Sequence, residues 1–112
     1  MRSVGKLIQQ LTDGSAEQRL AARMILMALD EEAIEPLIAH YYAGVTEATG
    51  ITLLELMAEI GGPDALATLW NVYHFEVCET WIQAAVRGLL HNRDNLDKDE
   101  IQELQSFIQN QS

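Results

Sequence analysis

Leu53-Leu54-Glu55-Leu56-Met57-Ala58-Glu59-Ile60-Gly61-Gly62-Pro63-Asp64-Ala65-Leu66-Ala67-Thr68-Leu69 is the stretch that decides the fold of this chain. Leu53, Leu56, Met57 and Ile60 stand at i, i+3, i+4 and i+7, so they share one face of an α-helix. Gly61-Gly62-Pro63-Asp64 then makes a sharp stop and restart, because glycine accepts positive φ after a helix and proline suits the first turn of the next. Leu66, Leu69, Trp70 and Tyr73 repeat the same apolar spacing at once. The passage reads as two helices joined by a tight turn.

Working outward, the spacing recurs in Val4/Leu7/Ile8/Leu11, Ala22/Ile25/Leu26/Leu29, Ile34/Leu37/Ile38/Tyr41, Ile82/Ala85/Val86/Leu89 and Ile101/Leu104/Gln105/Ile108. Gln105 is the one polar breach. The quartets come in pairs at a period of roughly 30 residues, the range of repeat solenoids. Strand periodicity is absent, and short connections make consecutive helices antiparallel. The expected architecture is all-α: a short α-solenoid of three helix pairs over 16–43, 47–75 and 78–109, with an N-terminal capping helix over 3–11. Residues left over from each pair, among them Ala21, Met24, Ala28, Leu54, Ala58 and Leu90, are expected to be buried by stacking.

Local punctuation sets the helix ends. Ser15 with Gln18 forms a capping box, and Asp97 with Glu100 forms another. Thr12-Asp13-Gly14-Ser15 reads as a loop. Pro36 is tolerable only in a first turn, which places the start of helix 33–43 near residues 33–35. Gly44 and Gly50 bracket a loose stretch before helix 51–60, although Glu47 and Ala48 can also extend that helix. The polar end Gln109-Asn110-Gln111-Ser112 is expected to fray.

Seventeen acidic residues against seven basic ones give a formal charge of −10. Such a surface repels phosphate backbones and anionic headgroups, which argues against nucleic acid and membranes and for a basic or apolar-basic protein partner. Cys78 is the single cysteine, so no intramolecular disulfide can form, in keeping with a reducing compartment. Arg2 and Lys6 precede an apolar stretch broken by Gln9, Gln10, Thr12 and Asp13, which is no signal peptide, and no run of 18 or so apolar residues occurs. A cytoplasmic location is expected.

Leu20-Ala21-Ala22-Arg23-Met24-Ile25-Leu26-Met27-Ala28-Leu29, an acidic turn and Ala33-Ile34-Glu35-Pro36-Leu37-Ile38 resemble a HEAT-like repeat. They are similar to the short form found in phycobilisome-lyase-type HEAT proteins, and Arg19 fits the arginine usual near the start of a first helix. The passage from Leu53 to Leu69 resembles a second copy, and Ala84-Ala85-Val86-Arg87-Gly88-Leu89-Leu90 opens a third. The resemblance covers residues 16–108 and implies a right-handed solenoid whose second helices line a concave face. The Trp-x2-Leu-Gly-x2-Tyr pattern of the tetratricopeptide rival is absent.

That implied face gives the candidate site. His40, Tyr41 and Tyr42 end one second helix, and Trp70, Tyr73, His74 and Phe75 end the next, one repeat away. Tyr41, Trp70 and Tyr73 lie on the core stripe; Tyr42, His74 and Phe75 lie off it. Aromatic and histidine side chains supply large contact area at low entropic cost, which suits a binding surface. The candidate partner-binding set is Glu35, His40, Tyr42, Trp70, His74, Phe75 and Glu76. Trp81 either packs beneath the Phe75 loop or anchors an interface.

Nothing in the sequence marks a catalytic, metal or cofactor site. His74, Cys78 and His91 fall short of a four-ligand set, and no base is marked beside Cys78. Glu31/Glu35 and Glu55/Glu59 are read as solvated helix faces rather than as paired catalytic carboxylates. The expected function is a non-enzymatic protein–protein interaction module or scaffold. The resemblance implies an alternative, a bilin (tetrapyrrole) lyase or chaperone subunit with a chromophore held near His40, Tyr42, Trp70 and His74. Self-association through an end of the array is a third expectation.

Overall fold

The computed structural model describes residues 4–111. Among them lie seven α-helices and no strand: α1 (Val4–Asp13), α2 (Ala16–Leu29), α3 (Glu31–Tyr42), α4 (Glu47–Ile60), α5 (Pro63–Phe75), α6 (Glu79–His91) and α7 (Lys98–Gln109). A single 3-10 turn, Arg93–Asn95, leads into α7. Residue 3, where the first helix was expected to start, and Ser112 lie outside the described residues.

Both anticipated capping boxes form. The Ser15 Oγ accepts the Gln18 backbone N–H at 3.2 Å, and the Gln18 Oε1 accepts the Ser15 N–H at 2.9 Å. Asp97 and Glu100 exchange the equivalent pair at 2.8 and 2.9 Å. Each box satisfies two donors that the start of a helix leaves without partners. Gly61 (φ 75°) and Gly62 (φ 93°) make the turn between α4 and α5, with Pro63 opening α5.

Helix α4 is the centre of the packing and touches α2, α3, α5 and α6. Leu53, Leu54, Leu56, Met57 and Ala58 are buried around most of its circumference, leaving Glu55 and Glu59 in solvent. A helix that is apolar on several sides must be enclosed. Contacts run from α1–α2 through α3–α4 and α4–α5 to α6–α7, with further contacts joining α2 to α4, α4 to α6 and α3 to α5. The long dimension of the molecule is 43 Å, against 25 and 23 Å.

Four expectations need correction. Thr12 and Asp13 belong to α1 rather than to a loop. Helix α3 begins at Glu31, so Pro36 lies in its second turn, where it supplies no N–H toward the Glu32 carbonyl. The junction that permits the early start is Asp30, whose φ of 56° and ψ of −127° fall in a region that glycine tolerates far better.

Gly50 lies inside α4, not in a loose stretch. Thr46 caps the helix, its Oγ1 accepting the Thr49 N–H at 3.2 Å, and the glycine is needed because the Trp81 indole lies flat against it. A Cβ at Gly50 would come within 2.6 Å of three Trp81 ring atoms, closer than any real carbon contact. Finally, Ala21, Met24 and Ala28 are exposed rather than buried by stacking. Helix α2 turns Ala22 and Leu26 into the core, and Arg23, not Met24, reaches α4 through its ion pair with Glu59. Helix α7 ends at Gln109, and in the turn that follows the Gln111 side chain accepts a hydrogen bond from Gln83 of α6.

Candidate functional site

The C-terminal turns of α3 and α5 carry the aromatic concentration, and each turn buries part of it. Tyr41 is on the core stripe and only 4% exposed. A buried phenol needs a hydrogen-bond partner, and Tyr41 finds one outside its own helix. Its hydroxyl donates to the Glu76 Oε2 at 3.0 Å. Burial first, then this bond to a carboxylate, pushes the Tyr41 hydroxyl well above the usual phenol range. Glu76 Oε1 accepts the Val77 N–H at 2.9 Å, so both oxygens are engaged. Glu76 therefore braces the end of α3 against the end of α5.

Trp81 closes the same corner from α6. Its indole N–H donates to the Glu47 carbonyl at 2.9 Å, and its ring centroid lies 5.1 Å from that of Tyr41. It packs, half-buried, between α3, α4 and α6 rather than standing exposed as an interface anchor. Beside it, the Glu47 carboxylate accepts the Thr80 hydroxyl at 2.6 Å and the Cys78 thiol at 3.6 Å. No histidine or cation contacts Cys78 among the described residues.

On α5, the Trp70 and His74 rings stack at 5.7 Å with an interplanar angle of 19°, the geometry of neighbours one turn apart. Tyr73 packs edge-on against Phe107 of α7 at 5.6 Å, and burial raises its hydroxyl pKa. His74 also approaches Phe75 at 6.1 Å. Tyr42 meets Tyr41 edge-on at 5.0 Å.

The seven candidate residues therefore divide. Tyr42, Trp70, His74, Phe75 and Glu76 belong to one continuous corner, joined through Tyr41 and its bond to Glu76. Glu35 is exposed and His40 half-buried, and neither shares a hydrogen bond, ion pair or ring contact with that corner among the described residues. Exposure picks out the apolar members: Phe75 is 80% exposed and Tyr42 59%. Trp70 is half-buried, as a stripe residue should be.

One residue of this corner escaped sequence reasoning. Val77, in the linker between α5 and α6, is 92% exposed. Its position as a β-branched apolar residue between two helical stripes is the signal that could have identified it. Among the described residues no three His, Cys, Asp or Glu side chains gather as a metal site. No helix among them is long and apolar enough to cross a membrane. Comparison of the chain with models of protein families, with curated proteins and with solved structures gives no match.

Proposed function

We propose that this chain is a non-enzymatic protein-binding module, built as a short right-handed solenoid of three antiparallel HEAT-like helix pairs behind the capping helix α1. The contacts that join α2 to α4, α4 to α6 and α3 to α5 support stacking in two rows, since nearest-neighbour packing is what a repeat array requires. In that arrangement the ends of α3 and α5 belong to the row of second helices.

The observation that carries the functional reading is the exposure of Phe75, Tyr42 and Val77 at one corner held rigid from beneath by Tyr41, Glu76 and Trp81. Apolar side chains presented from a braced backbone lose little entropy on binding, the economy that marks interaction hot spots. The net acidity of the chain favours a partner whose surface is apolar and basic, in a cytoplasmic setting.

Affinity purification from native extract, wild type beside a Tyr42→Ala/His74→Ala/Phe75→Ala variant, tests the reading. A protein retained by wild type and lost by the variant, with helical circular dichroism unchanged, is the expected result. Retention of every captured protein by the variant would overturn the site.

A further inference from the structure

Helix α2 is apolar on its outer face as well as its inner one. Leu20 (59% exposed), Met24 (64%) and Met27 form a ridge at i, i+4 and i+7, flanked by exposed Ala16, Ala21 and Ala28. Monomeric domains seldom expose a contiguous apolar helix face. The charges of the chain are also divided. Residues 1–29 hold four cations against two acids, whereas residues 30–112 hold three against fifteen. Among the described residues, the α1–α2 end is thus where a second copy of this acidic chain would meet the fewest carboxylates.

The ridge is self-complementary at its edges. At 100° per residue, Glu17 lies on one edge of the Leu20–Met24–Met27 ridge, and Arg19 and Arg23 lie on the other. Beside the basic edge runs an open groove of about 280 Å³, lined by Leu11, Thr12, Arg19, Leu20, Arg23 and three residues of α4, with no carboxylate among its lining residues. Arg23 already pairs with Glu59, while the Arg19 guanidinium has no ion pair among the described residues.

We propose that the protein forms a two-fold homodimer through α2, the two α2 helices running in the same sense. With parallel helices about a two-fold axis, the Glu17 edge of each copy faces the Arg19 edge and groove of the other. Antiparallel helices would bring like edges together. The ridges bury one another, and the acidic remainders of the two copies point apart. Two-fold pairing of one patch with itself is the commonest way a soluble chain assembles.

Sedimentation equilibrium of the whole chain across a wide concentration range reads the outcome. Wild type is expected to pass from monomer to dimer mass. Met24→Glu, at an exposed position that leaves the fold and its circular dichroism intact, places a charge in the seam and should weaken dimerisation at least about 30-fold. Glu17→Arg should weaken it several-fold at low salt, and Glu17→Arg combined with Arg19→Glu should restore it. A wild type that stays monomeric up to millimolar concentration overturns the proposal. So does a dimer indifferent to Met24→Glu, or one in which the charge exchange fails to restore what Glu17→Arg removed. A Tyr42→Ala/Phe75→Ala variant should dimerise as wild type does, which separates this surface from the aromatic corner.

Discussion

Replacing Gly50 by alanine should destabilise the protein, against the ordinary behaviour of a helix. In a helix interior the change from glycine to alanine gains about 1 kcal/mol, because alanine loses less backbone freedom on folding. At Gly50 the added methyl meets the Trp81 indole, and that ring cannot yield freely. Its N–H is bonded to the Glu47 carbonyl and its ring meets Tyr41 at a tilt of 57°. Overpacking a fitted contact costs about 1–3 kcal/mol. Shifting the indole also forfeits a hydrogen bond worth about 1 kcal/mol. The balance is a net loss of about 1–3 kcal/mol, which for a chain of this length lowers Tm by roughly 4–12 °C. Thermal unfolding followed by circular dichroism reads the sign, and Trp81→Leu completes a double-mutant cycle. The two positions should couple by about 2–4 kcal/mol, the alanine regaining its ordinary helical advantage of about 1 kcal/mol once the indole is gone. A Gly50→Ala protein more stable than wild type, or a cycle that closes with no coupling, would refute the close approach of α4 and α6 at this point.

Asn92 donates from one amide to the carbonyls of both Ala58 and Gly88, each at 2.9 Å, so Asn92→Ala should cost about 2 kcal/mol in urea unfolding. Asn92→Asp, which has acceptors where donors are needed, should be at least as damaging at neutral pH. Asp30 holds a strained positive φ with no side-chain cap bond, so Asp30→Gly should raise stability by about 1 kcal/mol while Asp30→Ala should not. Because the Tyr41 hydroxyl titrates higher in the folded chain than in the unfolded one, its stabilisation is complete below the unfolded phenol pKa of about 10 and is lost as pH rises above it. Tyr41→Phe should accordingly flatten the alkaline limb of a stability–pH curve, and an unchanged limb would place the raised group elsewhere.

The helices were legible because their signal is local. Spacing within seven residues places the stripes, and Ser15 and Asp97 announce their helix starts through partners three positions on. What failed was set by distant chain. Gly50 looks like a helix breaker until Trp81 is found lying on it, thirty-one positions away. Pro36 looks like a first-turn residue because nothing nearby reveals that Asp30 will accept a strained conformation and let α3 begin early. The outer face of α2 reads as material for stacking, since sequence spacing cannot say on which side a helix has neighbours. At the candidate site the aromatic residues were visible, while the bond between Tyr41 and Glu76 that organises them was not.

Being off the core stripe is therefore insufficient for a side chain to be available to a partner. The core draws polar residues to itself wherever it buries a polar atom or leaves a carbonyl open. The Tyr41 hydroxyl captures Glu76, the indole of Trp81 is drawn to the Glu47 carbonyl, and the open carbonyls of Ala58 and Gly88 capture Asn92. Each of these groups is off the stripe and each is committed, because leaving a buried donor or acceptor without a partner costs more than fixing a side chain. Exposed apolar side chains answer no such demand, and solvent gains nothing from them. Among the described residues, six of the eight large ones fall in two groups, Tyr42, Phe75 and Val77 at the ends of α3 and α5 and Leu20, Met24 and Met27 on α2, while Ile25 and Ile108 stand apart from both. The first group belongs to the acidic part of the chain and the second to its basic end, so one partner surface cannot suit both. A basic-apolar ligand at the aromatic corner and a second copy at α2 are compatible demands on one small protein, since neither surface uses a residue of the other.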